Sequence, residues 1–299
     1  MPELLAVGES MLAFTSIDGA FGTSAGFAAS AAGGESNVAV HVAAHGRTAA
    51  WASRLGDDPA GRRILAEVSG RGVDTSLVVM DPAHRTGIML KDPSRQGSAV
   101  HYYRDDSAAS RMDAAFAAGL PLDDVRLVHV TGVTPALSAS CRSAVETLMT
   151  RCRRQGVRVS FDVNHRPRLW RDDDAPEALV RFASRADVCF VGRDEAETLW
   201  GTTSAEDVRE FLPEPEWLVV KDGAIGATAF SRVDGTRFEA APRVEVVEPV
   251  GAGDAFAGGF LAGLLAGVPL RERLRMGHAA AARSLSSLHD LPDLTGAIR

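Results

Sequence analysis

The sequence predicts an α/β protein with a mostly parallel central sheet, helices on both faces of that sheet, and a small β lid. Short apolar runs alternate with segments of helical periodicity along most of the 299 residues, and this alternation is typical of a parallel sheet covered on both sides. The runs at 76–80, 86–92 and 98–106 interrupt it, because no helical segment separates them. We expect these three runs to form antiparallel strands outside the main sheet.

The first predicted strand is LLAVG, residues 4–8, a short apolar run ended by glycine. GGESNVAVHVAAHG, residues 33–46, predicts the first helix, because Val38 and Val42 recur at helical spacing and Gly46 is a typical stop. Two helical segments, 254–266 and 270–288, end the series. The strands and helices between them are AAWASRLG, PAGRRILAEVSGRG, VRLVHVTG, CRSAVETLMTRCRRQG, VRVSFDVN, ADVCFVG and EWLVVKDG.

We interpret residues 1–299 as a single domain, with a lid formed mainly by about 10–32 and 76–106. The composition, 45 % hydrophobic and 24 % charged, is typical of a soluble globular enzyme. A net charge of -7 argues against a nucleic-acid partner.

The cysteines Cys141, Cys152 and Cys189 have no CxxC or metal-like spacing, so no disulfide framework is expected. The N-terminal residues lack a basic stretch followed by an apolar one, and no run of about 18 apolar residues occurs. We therefore expect no export signal, no membrane partner and a cytoplasmic location.

The segment VEPVGAGDAFAGGF, residues 247–260, places a carboxylate just inside a predicted helix. The strand-like residues before it end at a proline, so the chain should turn sharply before the helix begins near Ala252. The free N–H groups and the dipole of the first turn form an anion site, which Gly251 and Gly253 leave uncovered. Asp254 can then accept a proton from a hydroxyl that attacks a bound phosphate.

An ordinary helix-terminal carboxylate is the alternative interpretation of Asp254. Gly258 and Gly259 argue against it, because two adjacent glycines cost helix stability and indicate close approach of another group.

Together, GGESNVAVHVAAHG and GAGDAFAGGFL resemble the N-terminal and C-terminal signatures of the ribokinase (PfkB) family of carbohydrate kinases, and the resemblance extends over nearly the whole chain. It implies a ribokinase-like three-layer sandwich, Asp254 as the catalytic base, and ATP and Mg²⁺ as cofactors. A homo-oligomer formed through the β lid is a further expectation.

The resemblance also implies a nucleotide site. KDGAIGA, residues 221–227, looks like the turn that contacts the nucleotide, and Glu195 in RDEAE looks like the glutamate that organises Mg²⁺ through water. The sequence departs from the family pattern at Glu248-Pro249, where Asp-Thr is usual, and at Gly192, where an Asn is frequent. The implied cofactor-binding residues are Asn164, Lys221, Gly223, Gly226, Gly251, Ala252, Gly253 and His278.

Two arginines predict that the substrate that accepts the phosphoryl group is an acid. Tyr102 and Arg104 are two residues apart on a lid strand and project to the same face, and Arg166 follows the strand VRVSFDVN, at the edge where ligands of α/β sheets gather. Two arginines directed into one cleft indicate an anion besides the nucleotide, and a carboxylate suits the guanidinium group. For Arg104 alone, a solvent-facing charge on an edge strand is the alternative.

Ala13 occupies the position at which, by the resemblance, neutral-sugar kinases carry an Asp. The combination of YYRDDSAAS and FDVNHRPRLW resembles the kinases of 2-dehydro-3-deoxygluconate. It implies ATP-dependent phosphorylation of the terminal hydroxyl of that sugar acid or of its galactonate epimer. The implied substrate-binding residues are Gly34, Asn37, Met89, Tyr102, Arg104, Arg166, Asp254 and Asp290.

A fructokinase or other neutral-sugar kinase of the family is one alternative, and Ala13 with the two arginines argues against it. A non-catalytic sensor of sugar acids or nucleotides is another, and Asp254 argues against that. A Rossmann dehydrogenase needs GxGxxG after a strand, whereas VGESMLAF has one glycine. A P-loop kinase needs a GxxxxGK[ST] loop, which AGDAFAGG does not form.

Overall fold

The computed structural model describes residues 2–92, 99–170 and 174–287. Within these ranges the chain forms one nine-stranded sheet and one four-stranded sheet. The strands are β1 Leu4–Val7, β2 Met11–Ser16, β3 Phe27–Ala32, β4 Ala49–Gly56, β5 Asp74–Asp81, β6 Ile88–Asp92, β7 Ala99–Tyr103, β8 Leu127–Thr131, β9 Arg158–Asp162, β10 Val188–Gly192, β11 Trp217–Asp222, β12 Gly226–Ser231 and β13 Gly235–Ala240.

The large sheet has the order β13-β12-β11-β10-β9-β8-β1-β4-β5. Its strands from β11 to β5 are parallel, and β12 and β13 add an antiparallel hairpin at one edge. Alternate residues of β1 enter two different cores, since Leu4 belongs to one apolar cluster and Leu5 to the other. The sheet is therefore buried on both faces, which explains its continuous apolar runs.

Helices cover the two faces of this sheet. One face is covered by α1, α2, α8 and α9, and the other by α3 to α7, so the predicted three-layer α/β sandwich is confirmed. The helices are α1 Gly34–Ala44, α2 Pro59–Ser69, α3 Ala114–Gly119, α4 Ala139–Gln155, α5 Ala175–Ala183, α6 Arg193–Trp200, α7 Ala205–Phe211, α8 Ala252–Ala266 and α9 Leu270–Leu285.

The small sheet is the lid, with the strand order β3-β2-β6-β7. Its outer pairs are antiparallel, but its central pair, β2 and β6, is parallel. The lid is therefore a mixed sheet and not the antiparallel one that we expected.

The placement of 76–80 in the lid was wrong. These residues belong to β5, which pairs in parallel with β4 at the edge of the large sheet. The helix α2 connects the two strands and so forms a βαβ unit. Leu77 packs against one core of the sandwich, whereas Val78 and Met80 pack against the other, so the sheet gains apolar contacts on both faces from this strand.

Three further findings concern the cysteines, membrane-spanning helices and Asp290. All three cysteines are free and buried. No helix of the described ranges is both long and apolar enough to cross a bilayer. Asp290, one of the substrate-binding residues implied by the resemblance, lies outside the described residues.

The glycine pair in α8 allows neighbouring helices to approach closely. A Cβ at Gly258 would lie 2.4 Å from the Cβ of His41 in α1, and one at Gly259 would lie 2.5 Å from the backbone oxygen of Met276 in α9. The predicted close approach is confirmed, and its partners are the two helices that flank α8.

We expect Gly259→Ala to lower the free energy of unfolding by about 1–3 kcal/mol, because the added methyl group overlaps backbone that cannot move aside freely. The control is Gly119→Ala at the end of α3, where an added Cβ meets nothing within 4 Å, and which should be neutral or stabilising by about 0.4–1 kcal/mol. Denaturant unfolding of both variants measures the difference. Equal midpoints for Gly259→Ala and wild type would contradict the tight packing.

Candidate active site

A polar cavity of about 520 Å³ lies at the carboxyl ends of the parallel strands, where the lid meets the start of α8. Ligands of open α/β sheets bind at this edge. The sequence-predicted residues that line it are Gly34, Asn37, Met89, Tyr102, Arg104, Asn164, Arg166, Glu195, Lys221, Gly223, Gly251, Gly253 and Asp254.

Asp254 lies in the first turn of α8, after Gly251, which adopts a left-handed φ of 87° as the helix N-cap. Its Oδ2 accepts a hydrogen bond of 3.0 Å from Asn37 Nδ2, and its Oδ1 lies 3.4 Å from Asn164 Nδ2. A Cβ at Gly34 would come within 3.5 Å of Oδ1. Glycine at that position therefore leaves space beside the carboxylate.

The environment of Asp254 makes its carboxylate a stronger base than that of an ordinary aspartate. Burial raises its pKa to about 6, with a further increase from the charge of Asp162, while the hydrogen bond from Asn37 acts in the opposite direction. A carboxylate with a pKa near the working pH is suited to remove a proton from a hydroxyl.

Lys221, at the end of β11, supplies a positive charge beside this turn. Its Nζ donates a 2.7 Å hydrogen bond to Asp162 Oδ2 and lies 3.4 Å from where a Cβ of Gly253 would stand. Burial alone would lower the pKa of Lys221, but the charges of Asp162 and Glu195 raise it above its ordinary value. The ammonium group and the free N–H groups of α8 together form a site suited to phosphate.

A second, mostly apolar cavity of about 670 Å³ adjoins the first. Both cavities include Lys221, Gly223 and Gly253 in their walls, so they meet at the start of α8. His278 lies in the apolar cavity, edge-on to Phe256 with 5.1 Å between ring centroids. An apolar cavity next to a turn suited to phosphate also suits the base of a nucleotide. The other predicted cofactor-binding residues in its walls are Gly226 and Ala252.

Asn164, predicted as a nucleotide contact, lines only the polar cavity of these two. It follows β9 with a φ of 38°, and this left-handed conformation directs its amide towards Asp254. Its amide therefore lies beside the Asp254 carboxylate in the polar cavity.

Glu195 is fixed by the backbone around it. Its Oε1 accepts from the N–H of His165 at 3.0 Å, and its Oε2 accepts from that of Gly192 at 2.9 Å. Burial and the nearby Asp162 raise its pKa, although Lys221 acts against this. In the described ranges, no group of three or more His, Cys, Asp or Glu side chains could hold a metal ion.

The two predicted arginines line the same cavity but differ in their partners. The Arg166 side chain is 45 % exposed, with its Nη1 3.8 Å from Glu195 Oε1. Arg104 is mostly buried and forms an ion pair with Glu9. Arg104 is therefore not the solvent-facing edge charge of the alternative interpretation.

Sequence reasoning missed Glu9 and Asp162, each of which pairs with a predicted cation. Glu9 comes two residues after β1, and Asp162 is the last residue of β9. Their positions at the carboxyl ends of parallel strands were the signal that could have identified both.

Glu35, in the first helical turn of GGESN, was also missed. Its Oε1 accepts hydrogen bonds from Thr131 N at 3.0 Å, Thr131 Oγ1 at 2.9 Å and Thr134 Oγ1 at 2.7 Å. Burial raises its pKa to about 7. These contacts tie the start of α1 to the end of β8 and so hold Gly34 and Asn37 at the cavity.

Comparison with known proteins shows the family to which this chain belongs. The model of the pfkB family of carbohydrate kinases matches residues 1–291. The 2-dehydro-3-deoxygluconokinase of Bacillus subtilis is 34 % identical, over 96 % of this chain and 90 % of its own. The 2-dehydro-3-deoxygalactonokinase of Haloferax volcanii is 32 % identical, over 98 % and 94 %. The crystal structure of a PfkB protein from Polaromonas sp. JS666 is 35 % identical, with a TM-score of 0.88 over 96 % of this chain and 97 % of that one. The chain therefore belongs to the pfkB family of carbohydrate kinases.

Proposed function

We propose that this kinase transfers a phosphoryl group from ATP to the terminal hydroxyl of a sugar acid, 2-dehydro-3-deoxygluconate or its galactonate epimer. The observation that carries the proposal is that Arg104 and Arg166 line the same cavity as Asp254. The relatives from Bacillus subtilis and Haloferax volcanii are named for kinases of these two acids, which supports it.

In this proposal Asp254 removes the proton from the attacking hydroxyl. The amides of Asn37 and Asn164 hold the carboxylate, and within the described residues their Oδ1 atoms are buried without a hydrogen-bond partner.

ATP would occupy both cavities, with its base near His278 and its phosphates at Lys221 and the first turn of α8. Glu195 and Asp162 fit Mg²⁺ held through water, since this ion usually keeps several waters and binds few carboxylates. When bound, Mg²⁺ would neutralise charge on the phosphates.

The acid end of the substrate would bind Arg166 and Arg104. Ala13 carries no hydroxyl-binding carboxylate and is fully buried in the apolar cluster of Met11 and Met89. Met11 and Met89 of this cluster line the cavity, so this side of the lid would offer the acceptor apolar contact and its polar recognition would fall to the arginines.

A neutral-sugar kinase is the second candidate, and Glu9 is the observation that favours it. The carboxylate of Glu9 compensates the charge of Arg104 and could itself accept hydrogen bonds from sugar hydroxyls. Release of ADP, measured over a panel of sugar acids and neutral sugars, distinguishes the two candidates.

We expect Asp254→Asn to lower kcat by about 10²–10⁴-fold, because Asn keeps the volume of the side chain and loses the proton acceptor. Nucleotide affinity, measured by calorimetry, should stay close to that of wild type. A variant with wild-type kcat would refute the role of Asp254 as the base.

The kcat/KM for the acceptor should fall as the pH drops through about 6, because protonated Asp254 cannot accept the hydroxyl proton. Asn37→Ala should move this midpoint to higher pH, since it removes a hydrogen bond that lowers the pKa of Asp254. Glu35, with a pKa of about 7, also titrates in this range, but Asn37 makes no hydrogen bond to it. A midpoint unaffected by Asn37→Ala would assign the acidic limb to another group.

Arg166→Ala should lower kcat/KM for the sugar acid by about 10- to 150-fold, the effect of a lost charge-assisted hydrogen bond of about 1.5–3 kcal/mol. The KM for ATP should barely change. Arg168→Ala is the matched control, because Arg168 is exposed and does not line the polar cavity. Wild-type preference for fructose, or equal losses for fructose and the acid in Arg166→Ala, would favour the neutral-sugar candidate.

A further inference from the structure

Glu9 is a charged residue buried at the edge of the proposed acceptor site. It lies just after β1, lines the polar cavity and is 3 % exposed. Both of its carboxylate oxygens accept hydrogen bonds from one short segment after β7, Oε2 from Arg104 Nη2 and Oε1 from Ser107 Oγ at 2.7 Å. Carboxylates are seldom this buried unless they are paired.

The chain around Glu9 is shaped for this contact. Ser107 N donates to the backbone oxygen of Arg104 at 3.1 Å, which closes a turn and presents both donors together. A Cβ at Gly87 would lie 3.2 Å from Glu9 Oε1 and 3.4 Å from the Cβ of Arg104. Glycine at this position therefore lets the carboxylate and the arginine stem lie side by side.

The contact with Glu9 restricts Arg104 without using all of its donors. A guanidinium group has five N–H donors in a fixed plane, and the Arg104 group lies over the ring of Tyr102, 5.5 Å from its centroid. Its Nε is buried without a hydrogen-bond partner in the described residues and is out of reach of a ligand, so the donors left for a ligand are Nη donors at the wall of the polar cavity. The carboxylate on one side and the ring on the other fix the plane of the group.

We propose that Glu9 is a positioning residue for the acceptor: it fixes the guanidinium of Arg104 so that the remaining donors address the acid end of the substrate. This inference rests on the proposed sugar-acid function. Because Glu9 compensates the charge of Arg104, the pair contributes oriented hydrogen bonds more than net charge.

Two substitutions disturb the contact between Glu9 and Arg104 in different ways. Glu9→Gln removes the charge, whereas Glu9→Asp keeps it on a side chain one methylene shorter, which withdraws it from Arg104. Each should raise the KM for the sugar acid about tenfold, the effect of a lost charge-assisted hydrogen bond, while kcat and the KM for ATP stay near wild type. Glu3→Gln is the matched control, because Glu3 pairs with Arg47 and Arg126 at the opposite end of β1.

A double-mutant cycle tests whether Glu9 acts through Arg104. If it does, adding Glu9→Gln to Arg104→Ala should cause little further loss of kcat/KM, since the positioned group is already gone. Fully additive losses would overturn the proposal. So would a lower KM for the acid in Glu9→Gln, which would make Glu9 a repulsive charge, or equal rises in the KM for acid and for ATP, which would make it a purely structural residue.

Ser107→Ala tests the same contact if the Glu9 variants do not fold. It removes one of the two hydrogen bonds that hold Glu9, so it should raise the KM for the acid alone, and by less than Glu9→Gln. An unchanged KM would overturn the proposal. If wild type prefers a neutral sugar, the proposed function fails, whereas the same cycle measured with that sugar still shows whether Glu9 and Arg104 are coupled.

Discussion

The partial burial of the Asp254 carboxylate at the first turn of α8 is the constraint on which the rest of the site depends. A buried carboxylate is stable only if nearby groups compensate its charge. The positive end of α8, the amide of Asn37 and the ammonium group of Lys221 provide this compensation. Since the amide belongs to α1 and the ammonium group to β11, the position of the base is set by three separate elements of the sandwich.

The cations of the cavity are compensated in the same way. Each cation described above faces a carboxylate from a different element, which avoids uncompensated burial while preserving donors for a ligand. The anionic ligands that we propose would bind the remaining donors of these cations, and each cation would keep its carboxylate partner. The pairs are Lys221 with Asp162, Arg104 with Glu9, and Arg166 with Glu195.

Local patterns were sufficient to predict the sandwich and the turn that carries Asp254, because apolar periodicity and glycine positions are local properties of a sequence. The pairing of strands is not local, so 76–80 was assigned to the wrong sheet although α2 had been recognised. Glu9 was missed for a related reason: its partner, Arg104, is 95 residues away in the sequence. A carboxylate that looks unremarkable in sequence acquires its role only when β1 and β7 are brought together.

In our proposal, phosphoryl transfer and acceptor recognition depend on different parts of the fold, apart from Arg166, which follows β9 of the large sheet. The proposed base and phosphate site belong to α8 and the large sheet, whereas Tyr102, Arg104 and Met89 belong to the lid or the turn that leaves it. A substitution in the lid can therefore change the acceptor without disturbing Asp254. Glu9 links the two parts, because it follows β1 of the large sheet and holds Arg104 in the turn that leaves the lid. If Glu9 positions Arg104 as we propose, it ties the choice of acceptor to the geometry of the catalytic edge.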